Sequence, residues 1–331
     1  MDRSLSLRKT KMEILKLSPE IKETIWGGRK LIDEYGFSTD KKNAAEAWLL
    51  SCHKDGPCTV QNGQYAGKTL AEVLETEGKA ALGASNAGRT DFPILIKLID
   101  AEDKLSVQVH PGDAYARRVE NENGKTEAWY VLQAAPGASL VYGVNTEMTR
   151  AAFSESIENG TLMQYLNTVE VHPGDVVFIP SGMLHAIGAG ILLAEVQQSS
   201  NTTYRVFDYM RRDKNGKLRD LHVKKATDVV DLRPVQADFS PKGEAESLGQ
   251  GEAQLLTDCP YFSMTRLTVD GEVTRTADGD SFVSLLVLDG EGKVFGNAEA
   301  LSVKKGDSLF IPAGFGAFTL DGGMTLLETR T

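Results

Sequence analysis

The sequence predicts a mainly β protein in which two jelly-roll barrels are joined in one chain, with only a few short helices. Three observations lead to this fold class. Most of the chain consists of short apolar segments between Gly, Pro, Asp and Asn turns. Few windows have the apolar spacing of a helix, and one β unit occurs twice. Many short strands with regular turns are typical of sandwiches and barrels rather than of parallel α/β sheets.

The individual elements follow from local patterns. Apolar residues recur at helical spacing in residues 69–82 and 149–166. Strands are predicted at residues 94–99, 105–109, 128–132, 139–142, 176–179 and 191–196.

The repeat gives the domain organisation. Residues 171–187 and 303–319 share the frame V-x-x-G-D-x-x-F-I-P-x-G at an offset of 132 positions. Gly-Asp predicts a tight turn, an apolar strand follows, and Pro-x-Gly turns the chain into the next strand. His185 of the first copy aligns with Ala317 of the second, and Glu127 aligns with Val283. We therefore expect a functional site in the first barrel and a packing role for the second.

The expected domain limits follow from the same pattern. Residues 12–234 form the predicted catalytic barrel with helical insertions, and residues 235–331 form a second barrel without metal ligands. The polar segment 233–251 is the predicted linker. Residues 1–11 are expected to be a disordered extension, with Met12 as an alternative translation start.

Composition excludes several classes of protein. The 331 residues carry 36 Lys and Arg against 46 Asp and Glu, a net charge of −10, which argues against general nucleic-acid binding. No window of about 18 apolar residues predicts a membrane span, and the basic start lacks the apolar core of a secretory signal. Three cysteines without CxxC spacing favour a reducing cytoplasm over a disulfide framework.

Four side chains near predicted turns form a candidate metal site. Gln108 and His110 alternate on one strand and therefore project to the same side. Glu127 begins the next apolar segment, and His185 enters another. Two imidazoles, a carboxylate and an amide oxygen suit a borderline divalent cation and leave room for a water or substrate oxygen. Without thiolates, a structural cysteine-rich zinc site is not expected.

Four charged residues are candidates for substrate contact or proton transfer. Arg205 follows a polar loop, where its planar guanidinium would suit a phosphate or a developing oxyanion. A surface pair with Asp208 or Asp213 is the alternative. Lys97 interrupts an apolar strand and Lys125 precedes Glu127, so both are candidate cations. Glu195 lies on the strand before the polar loop.

An ordered set of motifs resembles one known family. These motifs are Trp26-Gly27-Gly28, AEAWLLS, KLIDAEDKLSVQVHPGD, GKTEAWYVL, PGDVVFIPSGMLHAIGAG and EVQQSSNTTYRVFDY. From about Met12 onwards the chain is similar to type I mannose-6-phosphate isomerases, in their short bacterial form. The resemblance implies two cupin domains, one zinc ion per chain, and interconversion of mannose 6-phosphate and fructose 6-phosphate.

The resemblance also implies roles for individual residues. Gln108, His110, Glu127 and His185 match the family's zinc ligands by motif position. Arg205 matches its active-site arginine, which usually follows Ser-Asp-x-Thr-Tyr. Here Asn201 stands where Asp is usual, so one negative charge near Arg205 is missing.

The implied chemistry is an aldose–ketose isomerisation through a cis-enediol. We expect Zn²⁺ to act as a Lewis acid on the two reacting oxygens, with Arg205 adding positive charge beside them. Lys97 and Lys125 are the expected contacts to the phosphate or hydroxyls. For the base that moves the carbon-bound proton, Glu195, Lys125 and a zinc-bound water stay open.

Two alternatives come from other functional classes. One is another mononuclear cupin metalloenzyme, such as an Fe(II) dioxygenase, for which the nearby arginine and lysines would have no evident use. The other is a non-catalytic sugar-binding protein that keeps the barrel as a scaffold, which the contrast between the two repeat copies argues against.

Overall fold

The computed structural model describes residues 12–212, 216–296 and 300–331. The expected disordered extension, residues 1–11, and Asp213 lie outside these ranges. Within them the strands are, in chain order, β1 (Leu15–Ser18), β2 (Glu20–Lys22), β3 (Glu46–Leu50), β4 (Thr59–Val60), β5 (Ile94–Ala101), β6 (Val107–Val109), β7 (Glu127–Ala134), β8 (Ser139–Val144), β9 (Leu166–Glu170), β10 (Val176–Ile179), β11 (His185–Ile187), β12 (Ile191–Gln198), β13 (Tyr204–Phe207), β14 (Ala245–Ser247), β15 (Gly251–Asp258), β16 (Ser263–Ala277), β17 (Val283–Phe295), β18 (Ala300–Lys304), β19 (Ser308–Ile311) and β20 (Gly316–Arg330).

The α-helices of the same ranges are α1 (Lys30–Asp33), α2 (Leu70–Glu77), α3 (Asp113–Val119), α4 (Arg150–Glu158) and α5 (Val223–Val229). Short 3₁₀ turns occur at Gly63–Tyr65, Lys79–Leu82, Ala84–Asn86 and Leu162–Tyr165. The prediction of a mainly β protein with few short helices is confirmed. None of the helices in the described ranges has both the length and the apolar character needed to cross a bilayer.

Antiparallel pairing arranges these strands in three sheets. One sheet has the order β10-β7-β12-β5-β3-β2, and a second has the order β13-β6-β11-β8-β9. The third, β14-β15-β16-β20-β17-β19-β1-β4 with β18 beside β17, contains the carboxy-terminal strands together with β1 and β4. The amino-terminal segment thus crosses to the carboxy-terminal sheet, and the predicted division into two barrels at residue 234 stays a prediction.

The sequence repeat corresponds to a repeated turn and a repeated register. Asp175 accepts a hydrogen bond from the backbone N–H of His172 at 2.8 Å, and Asp307 accepts one from that of Lys304 at the same distance. The glycine before each aspartate has φ of +98° or +90°, a left-handed conformation that favours glycine. The two copies therefore use the same turn.

Strand pairing supports the alignment of Glu127 with Val283. Ile179 lies opposite Glu127 in the first copy, and its repeat partner Ile311 lies opposite Val283 in the second. Around Val283 the inner face of the third sheet is apolar and includes Leu285. The position that carries a buried carboxylate in the first copy is therefore part of a hydrophobic core in the second.

One hydrophobic core of the amino-terminal part lies between the first two sheets, and others pack the first sheet against the third and the second sheet against α4 and α5. Along β12, Leu193 packs into this core, and Glu195 and Gln197 follow at the two-residue spacing that keeps them on the same face. On β7, Trp129 and Val131 pack into the same core. Glu127, two residues before Trp129 at the start of β7, lies on the same face. The inner face is thus apolar along most of its length and polar at the end where the candidate site lies.

Candidate metal centre

Three buried side chains converge where the first two sheets meet. The ligand-type atoms of His110, Glu127 and His185 all lie within 4.8 Å of one another. His185 Nε2 is 3.3 Å from Glu127 Oε1, and His110 Nε2 is 3.5 Å from Glu127 Oε2. None of the three residues is more than 1% exposed. Residues far apart in sequence are thus brought to one point.

The two sheets supply different members of this cluster. Glu127 is the first residue of β7, in one sheet. His185 begins β11 in the other sheet, and His110 directly follows β6, which pairs with β11. The cluster therefore contains residues from both sheets.

Backbone carbonyls fix the orientation of both imidazoles. His110 Nδ1 lies 2.9 Å from the carbonyl oxygen of Thr202, and His185 Nδ1 lies 2.9 Å from that of Met183. Since a carbonyl only accepts, each Nδ1 donates, and in the neutral ring Nε2 keeps its lone pair. Metal-binding histidines in proteins are commonly held in this way.

The electrostatics keep the cluster in its ligand-competent form. Burial, and then the charge of Lys125, lowers the pKa of His110 well below its ordinary value. Burial alone would raise the pKa of Glu127, but the charge of Lys125 and the adjacent imidazoles hold it well below its usual range. A neutral imidazole and an ionised carboxylate are the forms that bind a cation.

Several buried atoms at this point have no hydrogen-bond partner among the described residues. They are both carboxylate oxygens of Glu127 and Nε2 of His185, although one of the two oxygens forms an ion pair with an ammonium group. Lys125 Nζ lies 2.9 Å from Glu127 Oε2 and 3.0 Å from His110 Nε2, so one cation already lies beside the cluster. Buried acceptors without partners are costly unless a ligand satisfies them. The donor set therefore fits a divalent cation of the kind that binds nitrogen and oxygen ligands.

Gln108 and Arg205 lie in the same sheet as the two histidines. Gln108 on β6 is directly opposite His185 on one side and Arg205 of β13 on the other. Residues opposite one another in antiparallel strands share a face. The register thus brings these two predicted residues to the row that contains His185, while their roles stay predictions.

Among the described residues, Arg205 forms no ion pair with Asp208, and the alternative partner Asp213 lies outside the described ranges. Its Nε donates to Ser106 Oγ at 3.3 Å and its Nη1 to the carbonyl oxygen of Asp220 at 3.1 Å. Asp208 instead binds the guanidinium groups of Arg211 and Arg219. The hydrogen bonds of Arg205 within the described residues thus go to neutral oxygens.

Lys97 and Glu195, two separate candidates in the sequence, form one buried ion pair. Lys97 Nζ lies 2.9 Å from Glu195 Oε1 and 3.6 Å from Glu46 Oε2. The other oxygen of Glu195 accepts a hydrogen bond from Trp129 Nε1 at 2.9 Å, and the Trp129 ring packs against that of His185. Burial alone would lower the pKa of Lys97, but the two carboxylates raise it above its ordinary value.

Sequence reasoning missed the groups that support the cluster. The carbonyls of Thr202 and Met183 carry no side-chain signal, so only the fold reveals them. Gln197 lies opposite Glu127 on the neighbouring strand. Its place on the face of Glu195 could be predicted from the two-residue period along β12.

The chain is similar to known isomerases in sequence and in structure. Residues 14–131 match the family model for the phosphomannose isomerase type I catalytic domain, and residues 252–330 match the mannose-6-phosphate isomerase cupin domain. Mannose-6-phosphate isomerase ManA of Bacillus subtilis is 39% identical over 94% of this chain and 96% of its own length. The mannose-6-phosphate isomerase of Streptococcus mutans is 36% identical over 96% of this chain and 98% of its own length.

Solved structures agree with these matches. The crystal structure of the B. subtilis mannose 6-phosphate isomerase superimposes with a TM-score of 0.90 at 35% identity, covering 97% of this chain and all of that one. A variant of phosphomannose isomerase from Salmonella typhimurium has a TM-score of 0.77 at 17% identity, over 97% of this chain and all of that one. At that identity the second match shows the fold alone.

Proposed function

The chain belongs to the type I mannose-6-phosphate isomerase family, and from this premise we propose that it interconverts mannose 6-phosphate and fructose 6-phosphate with one Zn²⁺ ion bound per chain. The observation that carries the proposal is the buried cluster of His110, Glu127 and His185, whose nitrogen and oxygen ligand atoms lie within 4.8 Å of one another. The partner that we propose is a small sugar-phosphate substrate. We propose no binding to nucleic acid or to a membrane.

We propose that the three clustered residues hold the metal, with Gln108 as an additional oxygen ligand. The nitrogen and oxygen donors support Zn²⁺, which accepts both. When bound, the ion would act as a Lewis acid that polarises the carbonyl and hydroxyl oxygens of the sugar. Glu127 supplies the negative charge of the set, and the two carbonyl-anchored imidazoles keep their Nε2 lone pairs aimed at one point.

The surrounding cations are proposed to bind and orient the substrate. Arg205 is anchored by neutral oxygens, so its charge is available to the phosphate or to the oxygens that gain negative charge. Lys125 is buried beside Glu127, and we assign it a contact to a sugar oxygen. Lys97 is already paired with Glu195, which supports an indirect role for it, through the orientation of that carboxylate.

Isomerisation requires a group that carries a proton between C1 and C2, in the proposed route through a cis-enediol. Glu195 can accept a proton in its charged form, whereas the ammonium of Lys125 must first lose one of its own. This difference favours Glu195 over Lys125, but Glu195 is already bound by Lys97 and Trp129, so a zinc-bound water stays the third candidate. Lys125 then has the role of a substrate contact.

The free thiols of Cys52, Cys58 and Cys259 agree with the proposed cytoplasmic location, where thiols stay reduced.

A coupled assay with mannose 6-phosphate, run beside metal analysis of the same preparation, tests the proposed function. We expect turnover that is lost in His185→Ala while circular dichroism remains unchanged. His172→Ala is the matched control, because the side chain of His172 is 70% exposed and lies in a turn. Turnover retained in His185→Ala would contradict the proposal.

A further inference from the structure

The amide of Gln197 is held in one orientation at the polar end of the inner face. Its Nε2 donates to the carbonyl oxygens of Gln198, at 2.8 Å, and Ser200, at 2.7 Å. Both hydrogens of the amide are therefore in use. A flipped amide would place its oxygen against two carbonyl oxygens, so the position of Oε1 is fixed by the backbone.

The oxygen of this amide has no partner. Gln197 is fully buried, and its Oε1 accepts no hydrogen bond from any group in the described part of the chain. The neighbouring Gln198 is different: its Oε1 accepts from the N–H of Thr126 at 2.9 Å, and its Nε2 donates to Asp113 at 3.1 Å. One of two adjacent buried amides is thus satisfied within the protein, and the other keeps a free acceptor.

The strand register places Gln197 beside Glu127 of the metal cluster. Gln197 lies directly opposite Glu127 across the β12–β7 ladder, and opposite residues share a face about 5 Å apart. It is also one residue before the end of β12, while Glu127 is the first residue of β7. Gln197 therefore lies at the same end of the inner face as the candidate site.

We propose that Gln197 Oε1 accepts a hydrogen bond from a non-reacting hydroxyl, on C3, C4 or C5, of the bound hexose phosphate. The inference rests on the proposed function, in which the oxygens on C1 and C2 belong to the metal. A buried acceptor without a partner discriminates strongly in favour of a ligand that brings the missing donor. Gln197 is a substrate-positioning residue in this scheme, separate from the metal ligands.

Binding of non-reacting alditol phosphates tests this contact. Mannitol 6-phosphate and its 3-, 4- and 5-deoxy derivatives are titrated calorimetrically into the zinc-loaded wild-type chain and into Gln197→Met. In the wild type, one deoxy derivative is expected to bind about three- to tenfold more weakly than the parent. Gln197→Met should bind mannitol 6-phosphate about three- to tenfold more weakly than the wild type does. In this variant the same deoxy derivative should bind as well as mannitol 6-phosphate itself. Gln198→Met is the matched control, in which the difference between parent and derivative should persist.

Two results would overturn the proposal. If Gln197→Met weakens the parent and all deoxy derivatives by one factor, its amide only holds the loop through Nε2. If it lowers the affinity for Zn²⁺ added to the metal-free chain, the oxygen is a metal ligand. Should Gln197→Met not fold, Gln197→Asn takes its place, since it keeps an amide but withdraws it by one methylene. Wild-type protein without turnover of mannose 6-phosphate would refute the proposed function instead, in a separate assay.

Discussion

Replacing Lys97 by methionine should destabilise the chain strongly, because it leaves the buried carboxylate of Glu195 and the partly buried carboxylate of Glu46 without their cation. Lys97 is 6% and Glu195 3% exposed, and their charged atoms are 2.9 Å apart. Glu46 lies 3.6 Å from the same ammonium. Removing one partner of a buried pair costs about 3–5 kcal/mol. With an unfolding entropy of about 2.1 cal/mol/K per residue over 331 residues, the melting temperature should fall by about 4–7 °C.

The double variant separates charge from packing. Glu195→Gln keeps an acceptor for the indole N–H of Trp129 but removes the negative charge. Added to Lys97→Met, it should restore about 2 kcal/mol, since the stranded charge is gone. The combined loss is then smaller than that of Lys97→Met alone.

Calorimetric melting of the metal-free proteins is the assay. Lys242→Met is the matched control: its ion pair with Asp258 is 3.2 Å long but about half exposed, so its loss should cost less than about 1 kcal/mol. If Lys97→Met lowers the free energy of unfolding by less than about 1 kcal/mol, as the control does, then the ion pair of Lys97 and Glu195 is not shielded from water and does not stabilise the fold.

Three further predictions concern other parts of the chain. Arg205→Ala should lower kcat about a hundredfold or more while the bound metal, measured by elemental analysis, stays near one per chain; an emptied metal site would instead indicate a structural role. Burial alone would raise the pKa of Glu328, but Arg275 and a second arginine hold the pKa below its ordinary value. The ionised carboxylate therefore stabilises the folded chain above about pH 4.5. Glu328→Gln should lower the free energy of unfolding by about 3 kcal/mol there, and this difference from the wild type should shrink as the pH falls below 4.5. A difference that does not change with pH in urea titrations would contradict this. Asn201 Nδ2 donates a hydrogen bond to Asp55 at 2.8 Å on the surface. Asn201→Asp places two carboxylates there and should lower the free energy of unfolding by about 0.5 kcal/mol, and by more at low salt. Adding Asp55→Asn to that variant should remove the loss.

Local patterns in the sequence were sufficient for most strands. The segment 176–179 matches β10 without change, and 191–196 differs from β12 only at its end. Both helical windows were predicted too long, because each is interrupted by a glycine. Gly78 ends α2 with φ of +90°, and Gly160, with φ of +70°, follows the end of α4. A left-handed residue cannot continue an α-helix, so the apolar spacing beyond it belongs to a new turn.

The candidate site was predictable residue by residue but not in its pairings. Alternation on one strand predicts that Gln108 and His110 share a face, since that depends only on neighbours in sequence. The pairing of Lys97 with Glu195 depends on which strands become neighbours and in what register. Such long-range choices are fixed by tertiary packing, so a single sequence could not have revealed that these candidates neutralise each other.

The most direct test of the metal-centre proposal is a titration of Zn²⁺ into chelator-stripped protein, followed by calorimetry and by mannose 6-phosphate turnover on the same samples. We expect one tightly bound ion per chain and turnover that rises in proportion to it, with both lost in Glu127→Gln. Full turnover by the stripped protein, or unchanged zinc binding in Glu127→Gln, would contradict the proposal that His110, Glu127 and His185 form the metal centre.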